Sequence, residues 1–86
     1  MRTEIHVYEK PGCPLCDEGR EVLHDLGDRF DFEVVRHNIL ERTDWFEKYR
    51  HLVPVVLIDG IQRLALRFDS QELEAALRAS GVSPRE

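Results

Sequence analysis

The sequence predicts an α/β domain in the order β-α-β-α-β-β-α, a four-stranded mixed sheet flanked by three helices. Three observations predict it. Short β-prone runs alternate with amphipathic helical stretches along the chain. Asp59-Gly60 is a hairpin signal between the last two β-prone runs, which makes that pair antiparallel. Val55-Val56-Leu57-Ile58 is a continuous apolar run of the kind found in a buried strand, so helices are needed on both faces of the sheet.

The first strand is read from the alternation Glu4-Ile5-His6-Val7-Tyr8, and Lys10-Pro11-Gly12 ends it. Pro14 then stands where a helix tolerates proline, in its first turn. Leu15, Gly19, Val22, Leu23 and Leu26 follow at helical spacing, Asp17 and Glu18 suit the positive helix start, and Gly27 closes the helix. Phe30, Phe32 and Val34 open the second strand, which joins the first in parallel through the helical crossover. Asn38 or Thr43 is expected to cap the second helix, whose apolar side carries Trp45, Phe46 and Tyr49 as packing residues. Pro54 blocks its continuation. The fourth strand is expected over 61–68. Asp69 with Glu72 fits a capping pattern for the last helix, where Leu73, Ala76 and Leu77 form the apolar face. Gly81 and Pro84 end it, and the tail beyond is expected to fray.

A length of 86 residues suits one domain, 1–86. A 42% hydrophobic fraction suffices for one core, so global disorder is not expected. The net charge of −5, with Arg and Lys interspersed among Asp and Glu, argues against a nucleic-acid partner, whose phosphates demand clustered cations. No apolar run approaches the ~18 residues of a membrane span, and no secretory pattern opens the chain. Two cysteines are too few and too close for a secreted disulfide framework. The expectation is a cytoplasmic monomer with no membrane partner, whose cysteine pair cycles between redox states.

Cys13-Pro14-Leu15-Cys16 carries the chemistry. Disulfide exchange needs a thiolate and a second thiol near enough to resolve the mixed disulfide. Two intervening residues at a helix start meet both needs. Cys13 sits at the end where backbone N–H groups favour negative charge, and Cys16 lies one turn further in. Lys10 adds positive charge from the preceding loop, and Asp17 and Glu18 oppose it. Arg20 is expected to pair with Asp17 or Glu18. Val53-Pro54 is expected to be cis, in a tight turn that frees the Val53 backbone to pair with an extended substrate beside Cys13.

Tyr8-Glu9-Lys10-Pro11-Gly12-Cys13-Pro14-Leu15-Cys16 strongly resembles the active-site segment of the glutaredoxin family. Val53-Pro54-Val55 with Asp59-Gly60 is similar to that family's substrate-side proline and hairpin, and Tyr49 ahead of Val53 is most similar to its short bacterial glutaredoxin-like members. The resemblance spans residues 4–79. It implies a thioredoxin-like fold and thiol–disulfide exchange, with Cys13 attacking and Cys16 resolving. It also implies protein disulfides or glutathione mixed disulfides as substrates, and Lys10, Pro14, Val53 and Pro54 on the substrate side. Lys10 would meet a glutathione carboxylate. No tightly bound cofactor is expected, and glutathione or a protein reductase is the expected electron source. The chain departs from the family where a Gly-Gly pair ordinarily precedes the last helix: it has Arg67-Phe68-Asp69-Ser70. Phe68 and Asp69 are expected to obstruct or repel glutathione there, while Ser70 at the helix start is expected to hold an anion. Leu15 also replaces the aromatic residue common at its place.

Other readings stay open for the cysteine pair. A zinc site would need two more ligands, and His6, His24, His37 and His51 are scattered, so no metal is assigned. A glutathione-ligated iron–sulfur carrier, two inert core cysteines, and a non-catalytic binding module using the Val53-Pro54 groove are the alternatives.

Overall fold

A computed structural model describes residues 2–85. Strand β1 (Thr3–Glu9) is followed by helix α1 (Pro14–Leu26), β2 (Phe32–Asn38), a 3-10 turn (Ile39–Glu41), α2 (Thr43–Tyr49), β3 (Val55–Ile58), β4 (Ile61–Ala65) and α3 (Ser70–Ala79). The sheet order is β2-β1-β3-β4. β1 runs parallel to β2, pairing Ile5 with Val34, and antiparallel to β3, pairing Tyr8 with Val55. β3 and β4 form the expected hairpin, with a register irregularity at Val56/Leu57. Its two turn residues, Asp59 and Gly60, both have positive φ (53° and 76°), as a tight hairpin of this twist demands.

Strand alternation sorts the sheet's side chains into two layers. Ile5, Val7, Val56 and Ile58 join Leu23 and Leu26 of α1, Leu73 and Leu77 of α3, and Phe30, Phe32, Phe68 and Val82 in the larger core. Val55 faces the other way. It shares a second cluster with Cys13, Cys16, Ile39, Tyr49 and Val53, against which Tyr8, Trp45 and Phe46 pack. Thus α1 and α3 cover one face and α2 the other, as the fold class requires.

Several boundaries differ from expectation. Asn38 caps the 3-10 turn, its Oδ1 accepting from the Leu40 amide at 2.9 Å. α2 begins after Arg42 with no side-chain cap, so neither Asn38 nor Thr43 serves it. Phe30 precedes β2 and forms an isolated bridge with Pro84. β4 stops at Ala65 because Leu66 turns into the left-handed region, with φ 66°. The tail does not fray over its described residues. Val82 is buried, Asp31 N donates to Ser83 O at 2.9 Å, and Arg85 N donates to Arg29 O at 2.7 Å. That pairing continues the antiparallel register of Phe30 and Pro84, and burial of Val82 holds it in place. Among the described residues, no helix is long and apolar enough to cross a membrane.

Candidate active site

The Tyr8–Val55 register sets the end of β1 beside the start of β3. Whatever follows Tyr8 therefore lies next to whatever precedes Val55. On one side that is Lys10-Pro11-Gly12-Cys13, on the other Val53-Pro54. Gly12 makes the turn with φ 70°, a conformation open to glycine at little cost. Cys13 is then the N-cap of α1 in an extended conformation, and Pro14 fills the first helical position.

At the cap, the Cys16 amide donates to Cys13 Sγ at 3.2 Å. The sulfur thus takes the place of a capping oxygen and meets an N–H that has no partner within the helix. Both thiols are free and buried, with 8% of Cys13 and 2% of Cys16 exposed. They differ electrostatically. Burial pushes the Cys16 thiol up to about 12, reinforced by its hydrogen bond to the Cys13 side chain and by the charges of Cys13 and Glu9. The Lys10 backbone amide acts in the opposite direction. Cys16 is therefore held as a neutral thiol at neutral pH, while the sulfur at the helix mouth receives the backbone donor.

Val53-Pro54 is cis, as the sequence reading expected. Val53 and Pro54 are both buried, and Val53 belongs to the same cluster as the two cysteines. The carbonyls on either side, Leu52 O and Pro54 O, both accept from the Leu66 amide at 3.0 Å, and Val53's own amide and carbonyl stand outside that pairing. Pro14 is exposed and Leu15 half-buried beside them. Lys10 lines a recess with Glu9, Pro11, Gly12, Asp17, Arg20 and Asn38.

The remaining expected residues are engaged with partners of their own. Phe68 does not project over the cysteines. It is buried, and its ring packs on Gly19 of α1 because that glycine leaves room for it. Asp69 is the N-cap of α3: its carboxylate accepts from the Glu72 amide at 2.8 Å, and Glu72 Oε1 accepts from the Asp69 amide at 3.2 Å. The helix end that Ser70 was expected to offer to an anion is thus already furnished with two carboxylates of its own. Arg20 pairs with neither Asp17 nor Glu18. It reaches Glu9 at 3.2 Å, and Arg36 reaches the same carboxylate at 3.1 Å. This Arg20–Glu9–Arg36 clamp ties α1, β1 and β2 together just below the Cys13 loop.

Three features escaped the sequence reading. The clamp was hidden because its members lie far apart along the chain. His6 and His37 meet at 2.8 Å between ring nitrogens and stack, with Tyr8, Trp45 and Tyr49 continuing the aromatic group under α2. Strand alternation was the available signal, since it puts His6 and His37 on one face of the sheet, where the register sets His37 opposite Tyr8. Leu66 gave no signal, since nothing in its neighbours announces a positive φ.

Comparison with known proteins agrees with this architecture. The sequence model described as "Glutaredoxin-like domain (DUF836)" matches residues 4–78. A hybrid peroxiredoxin, hyPrx5, of Haemophilus influenzae is 32% identical over 60 residues, covering 70% of this chain; the match spans only 25% of that protein's length. A glutaredoxin-like protein (YDR286C homolog) of Dictyostelium discoideum is 27% identical over 75 residues, 80% of this chain and 69% of that one. Among solved structures, the protein XcR50 of X. campestris superposes with a TM-score of 0.77 at 25% identity, over 87% of this chain and 96% of that one. Protein Ne2328 of Nitrosomonas europaea gives 0.76 at 26% identity, over 88% and 92%. The four-stranded mixed sheet with its three helices is a thioredoxin-like fold, and the chain belongs to the glutaredoxin-like domain family.

Proposed function

We propose that this chain is a dithiol–disulfide oxidoreductase in which Cys13 attacks a substrate disulfide and Cys16 resolves the product. The fold and the glutaredoxin-like family support a redox-related role in general. The observation that carries the specific reading is the hydrogen bond from the Cys16 amide to Cys13 Sγ at 3.2 Å, at the head of a helix and beside Val53-Pro54.

The chemistry balances in two exchanges. Cys13 thiolate attacks one sulfur of the substrate disulfide; that S–S bond breaks, a mixed disulfide forms, and the other substrate sulfur leaves as a thiolate that takes a proton from water. Cys16 then gives up its proton and its sulfur attacks Cys13 Sγ. The mixed disulfide breaks, the second substrate thiol departs, and a Cys13–Cys16 disulfide remains. The substrate gains two electrons and the dithiol loses two. A dithiol reductase, or two glutathione molecules, returns them. The Asp69 and Glu72 carboxylates at the head of α3 favour a protein reductase over glutathione, which carries carboxylates itself. An extended substrate chain would lie along Val53, whose amide and carbonyl are outside the Leu66 pairing.

The test couples a disulfide-containing protein substrate to NADPH oxidation through either thioredoxin reductase or glutathione with glutathione reductase. Turnover is expected with the wild type and is lost to background in Cys13→Ser. Cys16→Ser is expected to accumulate a mixed disulfide visible by mass spectrometry. No turnover with either reductant, together with substrate binding that survives Cys13→Ser, would instead identify a binding module.

A further inference from the structure

Leu66 stands out among the apolar side chains. It is 44% exposed, alongside Leu40 at 58% and Ile61 at 53%. Leu40 lies in the 3-10 turn and Ile61 at the hairpin tip, whereas Leu66 directly follows Ala65, which packs on the cysteine cluster. It also has φ 66°, a backbone state that glycine and asparagine take readily and a bulky residue does not. Such strain persists only where the surroundings over-determine it, and it gathers at ligand clamps.

The surroundings here do so. The Leu66 amide is shared between Leu52 O and Pro54 O, both at 3.0 Å, which are the two carbonyls flanking Val53. On the other side, Arg67 meets Glu18 of α1 at 3.5 Å, and the Phe68 ring is buried against Gly19. The chain is pinned before and after Leu66, so its side chain is held out in water at the rim of the cysteine site. Half-buried Leu15 and exposed Pro14 lie at the head of α1 in the same site. The adjoining head of α3 carries carboxylates, which disfavours an anionic ligand.

We propose that Leu66 is a specificity residue: an apolar shelf for a side chain next to the reacting cysteine of an extended protein substrate. This rests on the exchange reading of Cys13 and Cys16 and names its substrate class, protein disulfides with apolar flanking residues. The substrate's backbone lies along Val53, and strand alternation sends one neighbouring side chain toward Leu66. A shelf open to water on one side discriminates less than a closed pocket, so a preference of about tenfold is expected.

Two disulfide-linked peptides test this, identical except for leucine or serine on both sides of the reacting cysteine. The readout is the ratio of kcat/KM between them for the wild type, Leu66→Asn and Leu66→Gly, with thermal stability measured in parallel. Both substitutions suit the positive φ, so Tm is expected to hold or rise. The wild-type ratio should favour the leucine peptide about tenfold, and both variants should bring it close to one. A wild-type ratio near one, or a ratio that neither variant changes, overturns the shelf while leaving the exchange reading intact. A wild type that reduces neither peptide, nor the general disulfide substrate used above, overturns both.

Discussion

Phe68 lies across Gly19: a Cβ placed on that glycine falls 3.1 Å from Phe68 Cζ and 3.3 Å from Pro54 Cγ. One missing methyl group lets α1, the Pro54 turn and the approach to α3 meet. A mid-helix glycine ordinarily costs about 1 kcal/mol relative to alanine. Here neither neighbour yields easily, since one is a core aromatic and the other a buried ring. Gly19→Ala is expected to lose about 1 kcal/mol net, the overpacking exceeding the helix gain. Because the new methyl presses on Pro54, turnover should fall as well. Urea unfolding and the disulfide assay check the pair; a variant about 1 kcal/mol more stable than wild type would show that Phe68 and Pro54 give way.

The resolving step should accelerate with pH. With the Cys16 thiol pushed up to about 12, its thiolate fraction rises about tenfold per pH unit throughout the neutral range. Burial, the leading cause, persists in the mixed disulfide while the charge of Cys13 does not, so single-turnover decay of that species should still rise with pH between 7 and 9. The same shift has a stability counterpart. An unfolded thiol, near 9.0, releases its proton first, so the folded state binds more protons above that pH. Stability is therefore expected to decline from pH 9 upward, and Cys16→Ser should remove that contribution.

His37 supplies an acid-sensitive element. Burial and the neighbouring His6 hold it below the ordinary 6.5, with Glu41 opposing. Its Nε2 meets His6 Nδ1 at 2.8 Å, Glu4 faces His6 from the far side at 3.2 Å, and Tyr8 and Trp45 enclose the His37 ring. A histidine lowered in the folded state stabilises above its unfolded value, and that stabilisation is lost as pH falls through 6.5 toward the folded value. Tm should therefore drop between pH 7.5 and 5. His37→Phe keeps the stacking and should flatten the drop. Asp44 and Glu74, lowered by Arg42 and by Arg78 and Arg29, lose their pairing only below the ordinary carboxylate values and do not confuse that window.

The α3 cap makes its own contribution to stability. Asp69→Ala removes the acceptor for the Glu72 amide and is expected to cost about 1 kcal/mol in denaturant unfolding, with Asp69→Asn close to neutral. An Asp69→Ala protein of unchanged stability would show that the capping box contributes nothing measurable to α3.

Local signals were enough for the order of elements. Alternation around Ile5 and Val7, the turn at Asp59-Gly60, and helical spacing through Leu23, Leu26, Leu73 and Leu77 each survive in the structure, because each reflects one period and one buried face. The Asp69–Glu72 cap was legible for the same reason, being a contact within one helical turn. Expectations failed where a residue's partner came from elsewhere. Arg20 had nearer acids on its own helix and went to Glu9, and the tail found Phe30 and Arg29.

By itself the sequence determined the fold class, the Cys13–Cys16 spacing and the proline before β3, since these are properties of neighbouring residues and of a backbone with few stable states. Tertiary structure alone decided that Phe68 turns inward over Gly19, that Cys16 is held neutral, that His37 meets His6, and that Leu66 stands out from its carbonyl anchors. Burial, charge and close packing arise between segments distant in the chain, and they exist only once the sheet has set the register that brings those segments together.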